Sequence, residues 1–254
     1  MTIETPRPEY MQVADAIRAA IEAGEWAPGS LIPAEPDLAA RYGTTRATVN
    51  RALSVLRTEG LVRPKQGRGT TVRPLPVLRR DGAGRQRREA REEGRARGAF
   101  DAEMRRHGLT PETRTDVSRV PVSAGVAELL GVDEEATVLA RRREMLADGE
   151  PVQMATSYLP LDIVVGTPIT EQDPGPGGIY SRLAELGHDP VAFAETVRIR
   201  RPIGDEARFL DMDLDQRVIT IRRTAADATG RVVEVNEIAL PAHQWELVYE
   251  WPAE

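Results

Sequence analysis

The stretch from Thr44 to Gly60, "TTRATVNRALSVLRTEG", decides the fold of the N-terminal part of the chain. Thr44 or Thr45 can cap the start of a helix, and Gly60 can end it. Between them, apolar residues recur at the spacing of one helical face, at Val49, Ala52, Leu53 and Leu56. The stretch therefore predicts an amphipathic helix that packs on a core through one face and leaves the other face free.

Two shorter patterns precede this helix and a third follows it. Apolar residues recur at helical spacing from Tyr10 to Ile21, which predicts a helix over about 8–23. The segment "AEPDLAARYG" (34–43) predicts a second, short helix that ends at its glycine. Residues 61–73, "LVRPKQGRGTTVR", predict two short strands joined by a hairpin at 66–69. Residues 1–74 are therefore predicted to form a winged helix-turn-helix domain.

The charge of the chain is unevenly distributed along its 254 residues, although the total is only −6. Residues 1–75 hold ten Lys and Arg against eight Asp and Glu, whereas residues 111–254 hold fourteen against twenty-six. A basic excess in one part and an acidic excess in another indicate two modules with different partners. The N-terminal module can approach a polyanion.

The composition also excludes several classes of protein. The chain has no cysteine and its three histidines lie far apart, so we predict neither a metal site nor a bound cofactor. No segment has the roughly 18 consecutive apolar residues that a membrane span needs. The N-terminus lacks the basic and apolar regions of a secretion signal. We therefore expect a cytoplasmic protein that does not bind membranes.

The predicted helix that starts at Thr45 suits the major groove of double-stranded DNA. A single helix fits this groove, and its N-terminal residues contact base edges. Arg46 can donate twice to a guanine, Asn50 can pair with an adenine, and a narrow wing suits the minor groove or a phosphate. The candidate DNA-binding residues are Thr45, Arg46, Ala47, Thr48, Asn50, Arg51, Gln66, Gly67, Arg68 and Gly69.

A compositional change separates the two modules. Residues 75–98 are mostly basic and polar, which predicts a linker, with an auxiliary phosphate contact as the alternative. Residues 99–254 alternate between helical and strand patterns and contain two predicted hairpins, which turn at Asp148–Gly149 and near Thr229–Gly230. This order indicates an α+β domain around an antiparallel sheet.

Residues 28–73 resemble the winged helix-turn-helix domain of the GntR family of bacterial transcription regulators. The motifs that carry the resemblance are Pro33-Ala34-Glu35, Thr45-Arg46-Ala47-Thr48-Val49, Ala52-Leu53, Glu59-Gly60-Leu61 and Gly67-Arg68-Gly69-Thr70. At two positions where family members often carry arginine, this chain has Pro36 and Asn50. The resemblance implies sequence-specific binding to a DNA operator, and the two departures imply an altered operator sequence.

Residues from about 99 onward resemble the UTRA effector domain of the HutC-type branch of that family, which has a chorismate lyase-like fold. The resemblance rests on Arg143, Asp148-Gly149-Glu150-Pro151 and Ser157-Tyr158-Leu159-Pro160. It implies a dimer whose DNA affinity changes when a small polar metabolite binds. Strand alternation predicts a shared cavity lined by Arg143, Ser157, Glu195 and Glu237, with Tyr180 and Arg198 as further wall residues. Arginine there would suit a carboxylate or phosphate, and glutamate a hydroxyl or amino group.

These observations favour a ligand-responsive transcription regulator, a repressor that acts as a homodimer on a pseudo-palindromic operator. One alternative is a ligand-independent DNA-binding regulator whose C-terminal domain only dimerises. A less favoured alternative is a chorismate lyase-like enzyme that uses Glu195 or Glu237 as an acid. The sequence has no histidine-assisted nucleophile and no metal cluster, so we expect no enzymatic activity.

Overall fold

A computed structural model describes residues 7–65, 67, 69–84 and 96–251. The chain divides into two compact units, residues 1–77 and 78–254. In the described parts of the chain, no helix is both long and apolar enough to cross a membrane.

The first unit contains three helices followed by a two-stranded hairpin, as the sequence predicts. The elements are α1 (Glu9–Glu22), α2 (Glu35–Tyr42), α3 (Arg46–Thr58), β1 (Val62–Lys65) and β2 (Gly69–Val72). The side chain of Thr45 caps α3 by accepting a hydrogen bond from the amide of Thr48 at 3.1 Å. This cap sets the first turn of α3, the part of the helix that is predicted to enter DNA.

One continuous core holds the three helices together. The predicted stripe of α3 is confirmed, because Val49, Ala52, Leu53 and Leu56 are all buried. They share the core with Ile17 of α1 and Leu38 of α2, neither of which is exposed. Each buried aliphatic side chain contributes about 1.5–3 kcal/mol, so the core fixes the orientation of α3 and leaves its opposite face exposed.

The hairpin forms the wing. Its strands pair antiparallel with Val62 opposite Val72 and Lys65 opposite Gly69. Gly67, in the turn, has φ +70°, a conformation that side chains with a Cβ rarely adopt. Leu31 adds a bridge to Thr71 on the outer side of β2. The wing is therefore tied to the loop between α1 and α2.

The second unit is an α+β unit built on a six-stranded antiparallel sheet. Its helices are α4 (Ala99–Arg106), α5 (Ala124–Leu130), α6 (Leu161–Val164), α7 (Gly178–Glu185) and α8 (Gly204–Phe209), with a 3₁₀ turn at Pro168–Thr170. Its strands are β3 (Leu78–Asp81), β4 (Pro111–Pro121), β5 (Thr137–Ala147), β6 (Glu150–Pro160), β7 (Ala192–Arg200), β8 (Val218–Ala226), β9 (Val232–Pro241) and β10 (Trp245–Val248).

The large sheet has the strand order β4-β5-β6-β9-β8-β7, and all its neighbours are antiparallel. Both predicted hairpins are confirmed. Asp148 and Gly149 join β5 to β6 with φ values of +48° and +79°, the two positive values that a primed hairpin turn needs. The hairpin of β8 and β9 turns at Asp227–Gly230.

A second, two-stranded sheet lies outside the predicted pattern. β3 and β10 pair in parallel, with Leu78 opposite Trp245 and Asp81 opposite Val248. The predicted linker at 75–98 differs from the structure here, because residues 78–81 are a paired strand of the second unit. The side chains of Leu78 and Arg80 both point inward and are buried. This strand pattern is hard to recognise in the sequence, because the segment is mostly basic. Residues 85–95 of the predicted linker lie outside the described residues.

Candidate functional site

The exposed face of α3 carries most of the predicted DNA-binding residues. Arg46 and Ala47 occupy the first turn and are exposed, as is Asn50 one turn later. Thr48 is half-buried, because its hydroxyl lies 3.0 Å from that of the cap residue Thr45. The structure therefore brings the predicted residues of α3 together at the N-terminal end and outer face of one helix.

Two of these residues contact neighbouring helices. The Asn50 amide donates to Glu35 Oε1 of α2 at 3.1 Å. This bond leaves the carbonyl oxygen and the second amide hydrogen of Asn50 for an adenine edge, which needs one acceptor and one donor. The Arg51 guanidinium lies over the Tyr10 ring of α1, 4.3 Å from its centroid. Sequence reasoning missed Glu35 as a partner of the recognition helix.

The tip of the wing is only partly described. Gly67 and Gly69 lie at the turn and the start of β2, whereas the predicted residues Gln66 and Arg68 lie outside the described residues. Gly69 has φ +96° and a Cβ there would lie 3.5 Å from Leu31. The backbone of the wing is thus exposed and narrow where it would meet DNA.

In the second unit, a cavity of about 330 Å³ lies against one face of the large sheet. Register places Arg141, Ser157, Asn236 and Arg223 side by side in a row across four strands, β5, β6, β9 and β8. We call the side of the sheet that carries this row the cavity face. Helix α7 covers part of the cavity face, and Tyr180 of α7 lines the cavity.

Glu234 forms the centre of a polar network in this cavity. Ser157 donates to Glu234 Oε1 at 2.5 Å, and the Tyr180 hydroxyl donates to Oε2. Arg143 in turn donates to Ser157 at 2.5 Å. Arg223 approaches Oε2 at 3.5 Å. The structure therefore brings together three predicted residues, Arg143, Ser157 and Tyr180, around a carboxylate that was not predicted.

The remaining predicted residues do not share this cavity, so that part of the prediction is wrong. Glu237 faces the opposite side of the sheet, where it pairs with Arg222 at 2.7 Å. Arg198 lines a groove on that same opposite side. The reason is the two-residue period of a strand, since Asn236 and Glu237 are neighbours and point to opposite faces. Glu195 is on the cavity face, but its carboxylate binds Arg80.

Sequence reasoning also missed Arg141, Arg223, Glu234 and Asn236. β9 is buried on both faces, so its apolar residues do not reveal which face Glu234 shares. The pairing of β9 with β6 and β8 reveals the face of Glu234, because Asn236, two residues further along β9, lies opposite both Ser157 and Arg223. The two-residue period from Arg143 would also have indicated Arg141.

Arg141 holds the wall of the cavity. Its guanidinium donates to the carbonyl oxygens of Ile169, Glu171 and Gln172, the last at 3.0 Å. Burial, with the nearby charge of Arg143, lowers the pKa of Arg141 to about 10, so it remains charged at neutral pH. The buried guanidinium of Arg141 therefore fixes the loop at 169–172 through these carbonyl oxygens, and its positive charge stays beside the cavity.

Close backbone contacts between residues 96–98 and the start of α7 form another part of the cavity wall. The amide of Gly177 donates to the carbonyl of Ala96 at 2.8 Å. A Cβ on Gly178 would lie 2.9 Å from the carbonyl oxygen of Arg97, and Gly178 has φ +68°. Both facts require glycine where α7 begins, because the segment at 96–98 passes too close for a side chain.

The inner cavity has an excess of positive charge. At its mouth, Asp173 pairs with Arg97 and Asp101 pairs with Arg105, each at 3.0 Å. Among the residues that the structure describes, the inner lining then holds three guanidinium groups and one carboxylate: Arg141, Arg143, Arg223 and Glu234. In this described part, the Nε atoms of all three arginines have no hydrogen-bond partner. The cavity is therefore suited to an anion.

Comparison with known protein families assigns both units. The profile of the bacterial regulatory proteins of the gntR family matches residues 9–72, and that of the UTRA domain matches residues 106–245. The chain belongs to the GntR family. It is a DNA-binding transcription regulator that carries a UTRA effector domain, as its sequence predicts.

Relatives of this GntR-family regulator have the same organisation. An uncharacterised HTH-type transcriptional regulator of Streptomyces coelicolor is 35% identical over 234 residues, which are 89% of this chain and 86% of the relative. The HTH-type transcriptional repressor NagR of Bacillus subtilis is 25% identical over 91% of this chain and 89% of its own. Both names describe regulators and not enzymes.

A solved structure supports the fold of this GntR-family regulator. PhnF from Mycobacterium smegmatis has a TM-score of 0.61 and is 22% identical, and the match covers 95% of this chain and 100% of PhnF. At this identity the likeness concerns the fold alone. The enzyme alternative is set aside because the family consists of transcription regulators.

Proposed function

We propose that this regulator is a cytoplasmic repressor of the HutC-type branch that responds to a small anionic metabolite in the cavity of its second unit. The observation that carries the proposal is the excess positive charge of the inner cavity. The name of the Bacillus subtilis relative, a transcriptional repressor, supports the direction of regulation. Binding of the metabolite changes the affinity of the first unit for its operator.

The unsatisfied arginine atoms support an anionic ligand. Each buried donor left without a partner costs about 1–3 kcal/mol, and the Nε atoms of Arg141, Arg143 and Arg223 are in this state within the described structure. The oxygens of a carboxylate or phosphate accept such hydrogen bonds and neutralise the charge at the same time. Arg143 and Arg223 are the arginines that we assign to this anion, because Arg141 already binds the loop carbonyls.

The size and the polar lining of the cavity limit the rest of the ligand. A volume of about 330 Å³ suits a small metabolite and no larger ligand. Thr113, Thr115, Gln153 and Asn236 also line the cavity and supply hydroxyl and amide groups. These groups suit a carbon skeleton with several hydroxyls, so we expect a ligand that combines one strongly anionic group with a polar body.

The exposed face of α3 supports sequence-specific DNA binding by the first unit. We assign base contacts to Arg46 and Asn50, and phosphate or sugar contacts to Thr48, Arg51 and the wing. When the protein binds DNA, the Arg51 side chain would either leave the Tyr10 ring to reach a phosphate or bind the phosphate while it stays over the ring. The first unit of each protomer reads one half-site, so a homodimer reads a pseudo-palindrome.

The edge of the large sheet supports a homodimer. β7 is an edge strand, and its residues Val197 and Ile199 are 42% and 67% exposed. Ile203, just beyond the strand, is 59% exposed. An edge strand with exposed apolar residues is suited to pairing with another chain, and we propose that the same edge of a second copy covers it.

Operator selection followed by ligand competition tests the proposed function. The full-length protein would select DNA from a random library, and the selected DNA would then be competed with inorganic phosphate, sugar phosphates and organic acids. We expect a pseudo-palindromic site, and we expect at least one anion to change its affinity and raise the Tm by mass action. Neutral sugars of similar size are the control. If no anion changed either the DNA affinity or the Tm, the result would favour the ligand-independent alternative.

The Asn50→Arg variant is expected to change the base that is preferred at one position of each half-site from adenine to guanine. A side chain that makes two hydrogen bonds to a base favours that base over the others by about 1–3 kcal/mol. This variant also loses the hydrogen bond to Glu35. Library selection with both proteins measures the change. Ser54→Arg, which adds the same charge at an exposed position one turn further along α3, is the matched control. Identical selected sequences for wild type and Asn50→Arg would show that residue 50 does not read a base.

A further inference from the structure

Arg80 of β3 is a buried cation outside the cavity. Its side chain is 0% exposed and that of its partner Glu195 is 10% exposed. Arg80 Nη1 donates to Glu195 Oε2 at 3.0 Å, and Nη2 donates to Oε1. The Tyr249 hydroxyl also donates to Oε2, at 2.7 Å. Buried ion pairs are often no more stabilising than apolar side chains of similar size, so this pair calls for a role beyond stability.

The register of the sheet connects this pair to the cavity. Glu195 on β7 lies opposite Arg223 on β8, so Glu195 extends the row that Arg141, Ser157, Asn236 and Arg223 form across the cavity face. Burial opposes the charge of Glu195, but the hydrogen bonds and charge of Arg80, with smaller effects of Tyr249 and Arg223, lower its pKa below the usual value. Glu195 is therefore an ionised carboxylate that binds Arg80 and lies opposite Arg223 in the sheet.

Arg223 also has two carboxylate neighbours. Burial disfavours its charge, whereas the nearby Tyr180, Glu234 and Glu195 hold its pKa above the usual value. If Glu195 were released from Arg80, its charge would be compensated by Arg223 alone. The inner cavity would then lose one of its two excess positive charges.

We propose that Arg80 is a positioning residue for the ligand cavity: by binding Glu195, it keeps that carboxylate from neutralising Arg223 and so leaves Arg223 to the ligand. This inference rests on the proposed anion-binding function. It assigns a role in ligand affinity to a residue that is not part of the cavity lining in the described structure.

The place of Arg80 in the chain gives this role a further consequence. Leu78, the first residue of β3, directly follows Val77, where the first unit ends. Ligand that holds Arg223 leaves the charge of Glu195 to Arg80, so it strengthens the attachment of β3 to the large sheet of the second unit. Because linkage is reciprocal, firm attachment of β3 also favours the ligand. The segment that leads to the DNA-binding unit thus responds to occupancy of the cavity.

The test measures binding of inorganic phosphate to the full-length protein by calorimetry. For Arg80→Met we expect phosphate affinity to fall on the order of tenfold, because this is the effect of one partly buried charge on another at close range. For Glu195→Gln we expect affinity equal to or above that of wild type, because no carboxylate then competes for Arg223. The double variant Arg80→Met/Glu195→Gln should recover the wild-type affinity. A merely structural pair would instead lose affinity in all three variants.

Arg79→Met is the matched control. It removes the same charge from the next residue of β3, but Arg79 is 62% exposed and pairs at the surface with Glu246. We expect less than about a twofold change in phosphate affinity, because solvent screens an exposed charge. If Arg80→Met does not fold, the question is decided by Glu195→Gln, in which phosphate should no longer slow hydrogen exchange in β3.

Hydrogen exchange of β3 provides a second readout. The amides of Leu78 and Gly82 donate to the carbonyl oxygens of Gln244 and Val248, both at 2.8 Å. Phosphate should slow exchange at these two amides in wild type and should not do so in Glu195→Gln. Wild-type phosphate affinity in Arg80→Met, or reduced affinity in Glu195→Gln, would overturn the role of Arg80 while leaving the anion site intact. Absence of phosphate binding by the wild type would overturn this inference, whereas the proposed function fails only if no anion of the wider panel changes the operator affinity or the Tm.

Discussion

Replacing Arg46 with alanine is expected to remove the preference of the protein for its operator over unrelated DNA while leaving the fold unchanged. Arg46 is exposed in the first turn of α3 and contributes nothing to the buried stripe of that helix. Loss of a bidentate contact to guanine costs about 1–3 kcal/mol per half-site, and a dimer would lose twice this amount. Footprinting and competition with random DNA measure the preference, and circular dichroism checks the fold.

Arg18→Ala is the control for the loss of charge alone. Arg18 lies on α1 and pairs with Glu59, the residue at the far end of α3, at 2.7 Å. Its removal should weaken binding to operator and random DNA by the same small factor, since a distant charge acts on both alike. An operator footprint that survives in Arg46→Ala would mean that α3 is not the recognition helix.

Replacing Arg143 with methionine is expected to abolish the response to the anionic metabolite without weakening operator binding. Arg143 donates to Ser157 beside Glu234, and its Nε has no partner in the described structure. A charge-assisted contact contributes about 1.5–3 kcal/mol, so ligand affinity should fall about ten- to hundredfold. Ligand titration of the protein–operator complex measures this loss.

The same variant has a second expected outcome that distinguishes a ligand-binding arginine from a structural one. Burial lowers the pKa of Arg143, and the neighbouring charge of Arg223 also lowers it, so the charge of Arg143 is only partly compensated by Glu234. Removing that charge should therefore leave the Tm of the ligand-free protein unchanged or raise it. Arg142→Met is the matched control, since this neighbour points to the opposite face and pairs with Asp205 at 3.4 Å. A large fall in Tm for Arg143→Met, with the ligand response retained, would contradict the assignment.

Local patterns in the sequence predicted the first unit almost completely. Helix α3 begins at the capping residue Thr45, all three helices end at or just before a glycine, and the wing turns at a glycine, so these elements are specified by a few neighbouring residues. The buried stripe of α3 follows from spacing alone. The contact between Asn50 and Glu35 could not be predicted in this way, because it joins two helices whose relative angle depends on the core.

The second unit was predicted less completely because its site depends on pairing between distant strands. The hairpins at Asp148–Gly149 and Thr229–Gly230 were found from their turns. β4 escaped prediction because most of its residues are exposed and polar, so it has no apolar stripe. β3 and β10 escaped because each is four residues long and pairs with the other across 160 residues or more of chain.

The candidate cavity shows how strongly the site depends on strand register. Arg143 and Ser157 were placed on the correct face of the sheet, because each lies on a strand that is joined to the turn at Asp148–Gly149. Glu237 was assigned to the wrong face by a single residue, and Glu234 and Arg223 were missed with it. Identification of these residues required the pairing of β6 with β9, which no turn specifies.

The parallel pair of β3 and β10 has a consequence for how this regulator could have arisen. The chain enters the second unit at Leu78 and completes its last strand at Val248, and these two residues lie at opposite ends of one short ribbon only four residues long. Domains whose entry and exit points lie close together can be transferred between proteins with little disturbance. We therefore expect that residues 78–251 keep their ligand chemistry when they are fused behind a different DNA-binding domain.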